Sequence, residues 1–99
     1  MTVRHSHRTS LSPAQVLEAA DRFFATIGLR RTASDARTRG FSGELGVLRL
    51  TVTMDGGHAT VVEARTDQIG ESRLDKNVKK YFVALHRATD ARHHIEAGY

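Results

Sequence analysis

The side chains able to do chemistry in this chain are mostly cationic, and the densest run of them is "DKNVKKYFVALHR", Asp75 to Arg87. At the helical period Lys76, Lys79, Lys80 and Arg87 fall on one side of that run. Ammonium and guanidinium groups gathered on one helix face can hold phosphate or carboxylate. Arg37 and Arg39, in "DARTRGF", offer a second basic cluster. These six residues are candidate contacts for an anionic macromolecule, either an acidic protein or a nucleic acid. A third set is sharper in geometry. If the helix continues past Ala88, His86, Asp90 and His93 or His94 recur on one side of it. Imidazole and carboxylate at such spacing can ligate zinc or nickel. These residues sit on the polar face with no evident supporting groups, so the reading that prevails is a solvated helix end, and no metal and no cofactor is expected.

Other chemistries find no residues to carry them. The chain has no cysteine, which excludes disulfides, thiolate nucleophiles and cysteine-ligated metal. It has no phosphate-cradling glycine loop, no nucleophile elbow and no HExxH. Asp and Glu are scattered rather than paired, so no general acid and base come together. A non-enzymatic binding module is the expectation. The formal net charge of +4 favours association with anions. Its excess sits in the first ten residues, in Leu29 to Gly43 and in the last helix. "MTVRHSHRTS" lacks the apolar core of a secretory signal. No stretch approaches the roughly 20 apolar residues of a bilayer span. The expected setting is therefore cytoplasmic, with no membrane partner.

The elements that must position these residues are legible in part. Ser12 can cap a helix, Pro13 suits its first position and Gln15 completes a capping box, with Leu11 and Val16 placed as a hydrophobic staple. Val16, Leu17, Ala20, Phe23, Phe24 and Ile27 share one stripe, and Gly28 ends the helix. "LRRTASDARTRGFSGE" suggests one or two weak edge strands whose charges discourage further pairing. "VLRLTVTMDGGHATVVEART" alternates as a strand with one buried face and returns through Asp55-Gly56-Gly57 as a three-residue loop. That register pairs Leu48 with Ala64, Leu50 with Val62 and Val52 with Thr60. It also sets Arg49 opposite Glu63, an attractive cross-strand pair. From near Gly70 to Ser72 a second helix begins, with Leu74, Val78, Tyr81, Phe82 and Leu85 on its inner stripe and Val83 exposed.

The fold class that follows is α+β: a two-layer sandwich of three to four antiparallel strands packed on an N-terminal and a C-terminal helix, in the order α-β-(β)-β-β-α. The domain is expected over residues 11–88, preceded by a flexible basic tail (1–10) and followed by a tail or helix extension (89–99). The order α-β-β-β-α, ending in "GESRLDKNVKK", resembles the double-stranded RNA-binding domain. That resemblance implies Lys76, Lys79 and Lys80 as phosphate contacts across a groove. The hairpin and last helix also resemble the end of a helix-grip ligand-binding fold. An alternative function follows from the second likeness and from two valines on the outer sheet face. The protein would be a homodimer or larger homo-oligomer, or would bind a small apolar ligand among Phe23, Phe24, Leu50, Tyr81 and Phe82.

Overall fold

The computed structural model describes residues 3–56, 59–68 and 72–98, with side chains described for 4–56, 59–68 and 72–88. The elements are β1 (Val3–Thr9), α1 (Pro13–Thr26), β2 (Arg30–Ser34), β3 (Thr38–Gly43), β4 (Gly46–Asp55), β5 (Ala59–Thr66) and α2 (Arg73–Gly98). The strands form one antiparallel sheet in the order β1-β5-β4-β3-β2. Both helices pack against one face of it, α2 over β1 and β5 and α1 over β4, β3 and β2. The fold is thus the expected α+β sandwich, with five strands rather than three or four.

The extra strand is the expected tail. Residues 3–9 pair with β5 along their whole length, Arg4 opposite Arg65 and His7 opposite Val62. Its core-facing row is His5, His7 and Thr9, so the period of two is present without the apolar residues that normally announce a strand. The polar inward groups are accommodated individually. His5 Nε2 lies 2.8 Å from Asp75 Oδ1 on α2, and His7 stacks on the Phe82 ring with centroids 5.1 Å apart. The strand preceding α1, and the four that follow it, also separate this topology from the α-β-β-β-α order of the double-stranded RNA-binding domain. At the other end α2 continues to Gly98 as a helix.

α1 forms as its sequence dictates. Ser12 Oγ accepts from the Gln15 N–H at 3.2 Å, and Gln15 Oε1 accepts from the Ser12 N–H at 2.9 Å. The helix closes on Gly28 at φ +86°, where any side chain would be strained. There the Gly28 N–H reaches Ala25 O and the Leu29 N–H reaches Phe24 O, the paired bonds that satisfy the last carbonyls of a helix. Leu29, immediately after, is buried.

The core is one cluster. Val16, Leu17, Ala20 and Phe24 of α1 meet Leu74, Val78, Tyr81 and Leu85 of α2 over Phe41, Leu48, Leu50, Val52, Val62 and Ala64 of the sheet. Phe24 lies at 5.1 Å from Tyr81 and 5.3 Å from Phe41, ring to ring, so the space between helices and sheet is filled by aromatic groups. Tyr81 Oη donates to Val16 O at 2.7 Å, which joins the helices through a polar bond inside the cluster. Burial, reinforced by the Asp21 charge, pushes that phenol well above its ordinary range.

The β4–β5 register differs from the expected one by two residues. Leu48 pairs with Thr66, Leu50 with Ala64, Val52 with Val62 and Met54 with Thr60. Asp55, expected in the loop, instead pairs with Ala59, which leaves positions 56–58 between the strands. A slide of two leaves every residue on its expected face. It changes the partners, however: Glu63 now faces Thr51, and Arg49 faces Arg65.

The β2 edge of the sheet is blunted. β2 is exposed throughout, carries Arg30 and Arg31, and breaks register between Arg31 and Ala33. The irregularity swings the Thr32 hydroxyl over Gly40, where an added Cβ would lie 2.9 Å from it. Only glycine fits beneath that bulge.

Candidate anion-binding site on the helix layer

Two of the depressions at the surface of the helix layer are walled by the basic residues of α2. The first, about 800 Å³, opens between the end of α1, the β3–β4 turn and the first turns of α2, and Arg73, Lys76 and Lys80 line it with Glu44. The second, about 580 Å³, lies further along the seam between the helices. Phe23, Val83 and Ala84 form its floor, and Lys79, Lys80 and Arg87 its rim. A third, about 350 Å³, continues along the α1 side over Ala19, Phe23, Ala84 and Ala88 with Arg22 at its border. The three adjoin along the seam, and together they are termed the groove: Lys80 lines both the first and the second, and Phe23 and Ala84 line both the second and the third. At 1.5 Å per residue, Arg73 to Ala88 spans roughly 22 Å of α2.

The groove exists because the two stripes that bury α1 and α2 are narrower than the helices. Phe23 and Phe82 sit at the margin of the core, half-buried. Val83 projects from the basic face of α2 and is 49% exposed. Small residues on both helices, Ala19, Ala84 and Ala88, leave the seam open above them. The chain's three lysines all stand on this one helix, and all three reach the groove walls.

Of the six candidate anion contacts, the structure gathers Lys76, Lys79, Lys80 and Arg87 on the groove and leaves Arg37 and Arg39 elsewhere. Arg39 is engaged within the fold. Its Nε donates to Asp21 of α1 at 3.1 Å, and its side chain also donates to Asp35 O at 2.6 Å and Thr38 O at 3.0 Å. Arg31 reaches the same Asp21 at 3.2 Å. Arg37 sits in the β2–β3 turn, where Asp35 Oδ1 accepts from the Arg37 and Thr38 N–H groups, each at 2.8 Å. The Arg37 N–H bond, chief among these, holds the Asp35 carboxyl below its ordinary value. That turn is at the opposite end of β3 from the β3–β4 turn that borders the groove, and α1 covers the strands between. The two basic regions therefore do not share a surface.

The set His86, Asp90, His93 and His94 lies mostly outside the described side chains. His86 is exposed on α2, and no group of three or more metal-ligating side chains occurs among the described residues.

Sequence reasoning missed the polar anchor that fixes α2 to the sheet. Asp75, which the expected inner stripe of α2 did not include, is 1% exposed. Its carboxylate accepts from Ser72 Oγ at 2.5 Å and Thr66 Oγ1 at 2.9 Å, and pairs with His5 at 2.8 Å. Burial pushes this carboxyl up, but the bonds from Ser72, His5 and Thr66 outweigh it and bring the carboxyl below its ordinary value. The same Ser72 hydroxyl accepts from the Asp75 N–H at 3.1 Å, so the network also caps α2. The only sequence signal is Ser72 followed three residues later by an acid, a capping pattern. His7 was likewise read as a tail residue. Its Nε2 is buried with no hydrogen-bond partner among the described residues. Burial first, and the nearby His86 second, lower its pKa.

No known family model matches this chain, and no curated protein matches it in sequence. No helix is long and apolar enough to cross a membrane among the described residues.

Proposed function

We propose that the protein is a non-enzymatic binding module whose helix-layer groove receives an acidic amphipathic helix of a protein partner. The observation that supports this reading is the composition of the groove. Phe23, Val83 and Ala84 make an apolar floor between Lys79, Lys80 and Arg87. A helix laid there buries its own apolar stripe against that floor and sets its acidic flanks against the basic rim. The length suits roughly four helical turns. A phosphate backbone gains nothing from an apolar floor, so the groove favours an acidic protein over a nucleic acid.

The test is fluorescence anisotropy with a labelled synthetic helix bearing leucines on one face and glutamates on the flanks. Wild-type protein binds it, and the affinity falls as salt rises. Lys79→Glu combined with Lys80→Glu abolishes binding. Val83→Lys, which adds positive charge but blocks the floor, also weakens it. If Val83→Lys binds as tightly as wild type, the floor takes no part and the reading fails.

A further inference from the structure

The outer face of the sheet, opposite the helices, carries an arrangement that folding alone does not favour. The register sets Arg4 of β1 opposite Arg65 of β5, and Arg65 opposite Arg49 of β4. Three arginines thus stand abreast on adjacent strands. At the usual strand spacing the row is roughly 10 Å from end to end. Like charges placed directly opposite across strands are destabilising. Arg8 and Arg30 lie on the same face.

The carboxylates near this face neutralise the row only in part, one carboxylate serving its three guanidinium groups. Glu63, in the adjacent row, is shared between Arg65 at 2.9 Å and Arg4 at 3.7 Å. Asp55 pairs with Arg8. At the end of β5, Asp67 accepts from the Val47 N–H and from Gln68, each at 2.8 Å, and the Val47 bond leads in holding its pKa down. Arg49 and Arg30 have no ion pair among the described residues, and both are exposed. Around them the face shows the hydroxyls of Ser6, Thr51, Thr53 and Ser42 together with Val61 and the 48%-exposed Val47, and Thr32 stands over the bare Gly40 beside Arg49.

We propose that this flat face binds double-stranded nucleic acid through its phosphate backbone, without reading sequence. Guanidinium forks match phosphate oxygens in two-point geometry, and hydroxyls supply further donors. Among the described residues the face has no aromatic ring on which an unpaired base could stack, and no helix to enter a groove. A duplex hides its bases and offers phosphates, which is the chemistry this row accepts. A second copy of the same face would bring arginine row against arginine row, so charge opposes self-association there. This proposal is independent of the helix groove.

The experiment is anisotropy with a fluorescein-labelled duplex of mixed sequence, compared with the single strand alone and with phosphatidylglycerol vesicles. The proteins are wild type, Arg49→Glu with Arg65→Gln, and Lys79→Glu with Lys80→Glu. Wild type is expected to bind the duplex, with an unrelated duplex competing equally. The arginine variant should lose roughly tenfold or more in affinity, and its salt slope should fall by about 2, near 0.9 per phosphate contact. Its melting temperature should not fall, because the substitution relieves the row, so lost binding is not lost fold. The lysine variant should bind the duplex nearly as wild type. Unchanged duplex binding in the arginine variant overturns the proposal. So does binding to the vesicles or the single strand in preference to the duplex.

Discussion

The two faces of this sheet-and-helix sandwich both carry positive charge, but they carry it on different ground. On the helix layer, lysines and arginines rim a groove whose floor is apolar, with Phe23 half-buried and Val83 exposed. On the sheet, arginines stand abreast on an open strand surface among serine and threonine hydroxyls, with Val47 and Val61 beside them rather than beneath a rim. The groove can desolvate part of a partner and reward shape as well as charge. The flat row can reward charge and geometry at phosphate, and little else. Net charge alone would treat the two as equivalent. Their floors separate them.

Both surfaces depend on the anchor at Asp75, which ties α2 to β1 and β5, and breaking it has the largest expected effect. Asp75→Ala leaves His5, Thr66 and Ser72 without their buried acceptor, while the cap from Ser72 Oγ to the backbone N–H of residue 75 can persist. Removing one member of a buried pair typically costs about 3 kcal/mol or more, so urea unfolding should show a loss of that size. A loss under about 1 kcal/mol would mean that the side-chain network contributes little to holding α2 on the sheet.

Charge reversal in the groove ranks next. Lys79→Glu with Lys80→Glu should weaken the acidic helix roughly tenfold or more, equivalent to about 1.4 kcal/mol per factor of ten. The urea midpoint should move little, since both lysines are exposed. Duplex binding should survive, and its loss would erase the distinction between the faces.

A smaller effect carries a more diagnostic sign. Arg49→Glu replaces a like-charged neighbour of Arg65 with an opposite one, so it should stabilise the fold by about 0.5 kcal/mol. A charge reversal that raises stability while lowering duplex affinity would mark the row as retained for binding. A destabilised variant would show that the row is neutralised within the fold.

The smallest effect is the pH response of the β1–α2 contact. His7 has its folded pKa lowered, so its contribution is complete above the unfolded value, about 6.5, and is lost as pH falls through the folded value. His7→Phe keeps the stack on Phe82 and cannot protonate, so stability measured from pH 7 to pH 5 should fall less than in wild type. Asp75, also lowered, acts in a separate window. Its contribution is complete above about pH 4 and is lost below that. Parallel acid limbs in wild type and His7→Phe would place the pH response elsewhere.

How much of this could be read beforehand varied by element, for physical reasons. α1 was legible to the residue, because capping box, first-turn proline, apolar stripe and terminal glycine all agreed. The inner stripe of α2 was legible too, and so were the four basic residues the groove brings together. β1 was hidden because its inward residues are His5 and His7, whose burial depends on Asp75 and Phe82 from the far end of the chain. Local pattern cannot show a partner seventy positions away. The hairpin faces were right while the partners were wrong, since a slide of two preserves alternation. An attractive Arg49–Glu63 pair suggested the wrong register, and the real one, which sets Val52 opposite Val62 in the core, places arginine against arginine. The sheet-face row was therefore invisible until the strands were aligned, and Arg4 belonged to a strand not expected to exist.

The central claim, that the helix groove and the sheet row are separate surfaces of different chemistry, is tested most directly by one crossed titration. The acidic helix and the duplex are each titrated with the lysine variant and with the arginine variant at a single salt concentration. The account predicts that the lysine variant loses the helix and keeps the duplex, and that the arginine variant does the reverse. If both variants lose both ligands to the same degree, only net charge is being read, and the claim is contradicted.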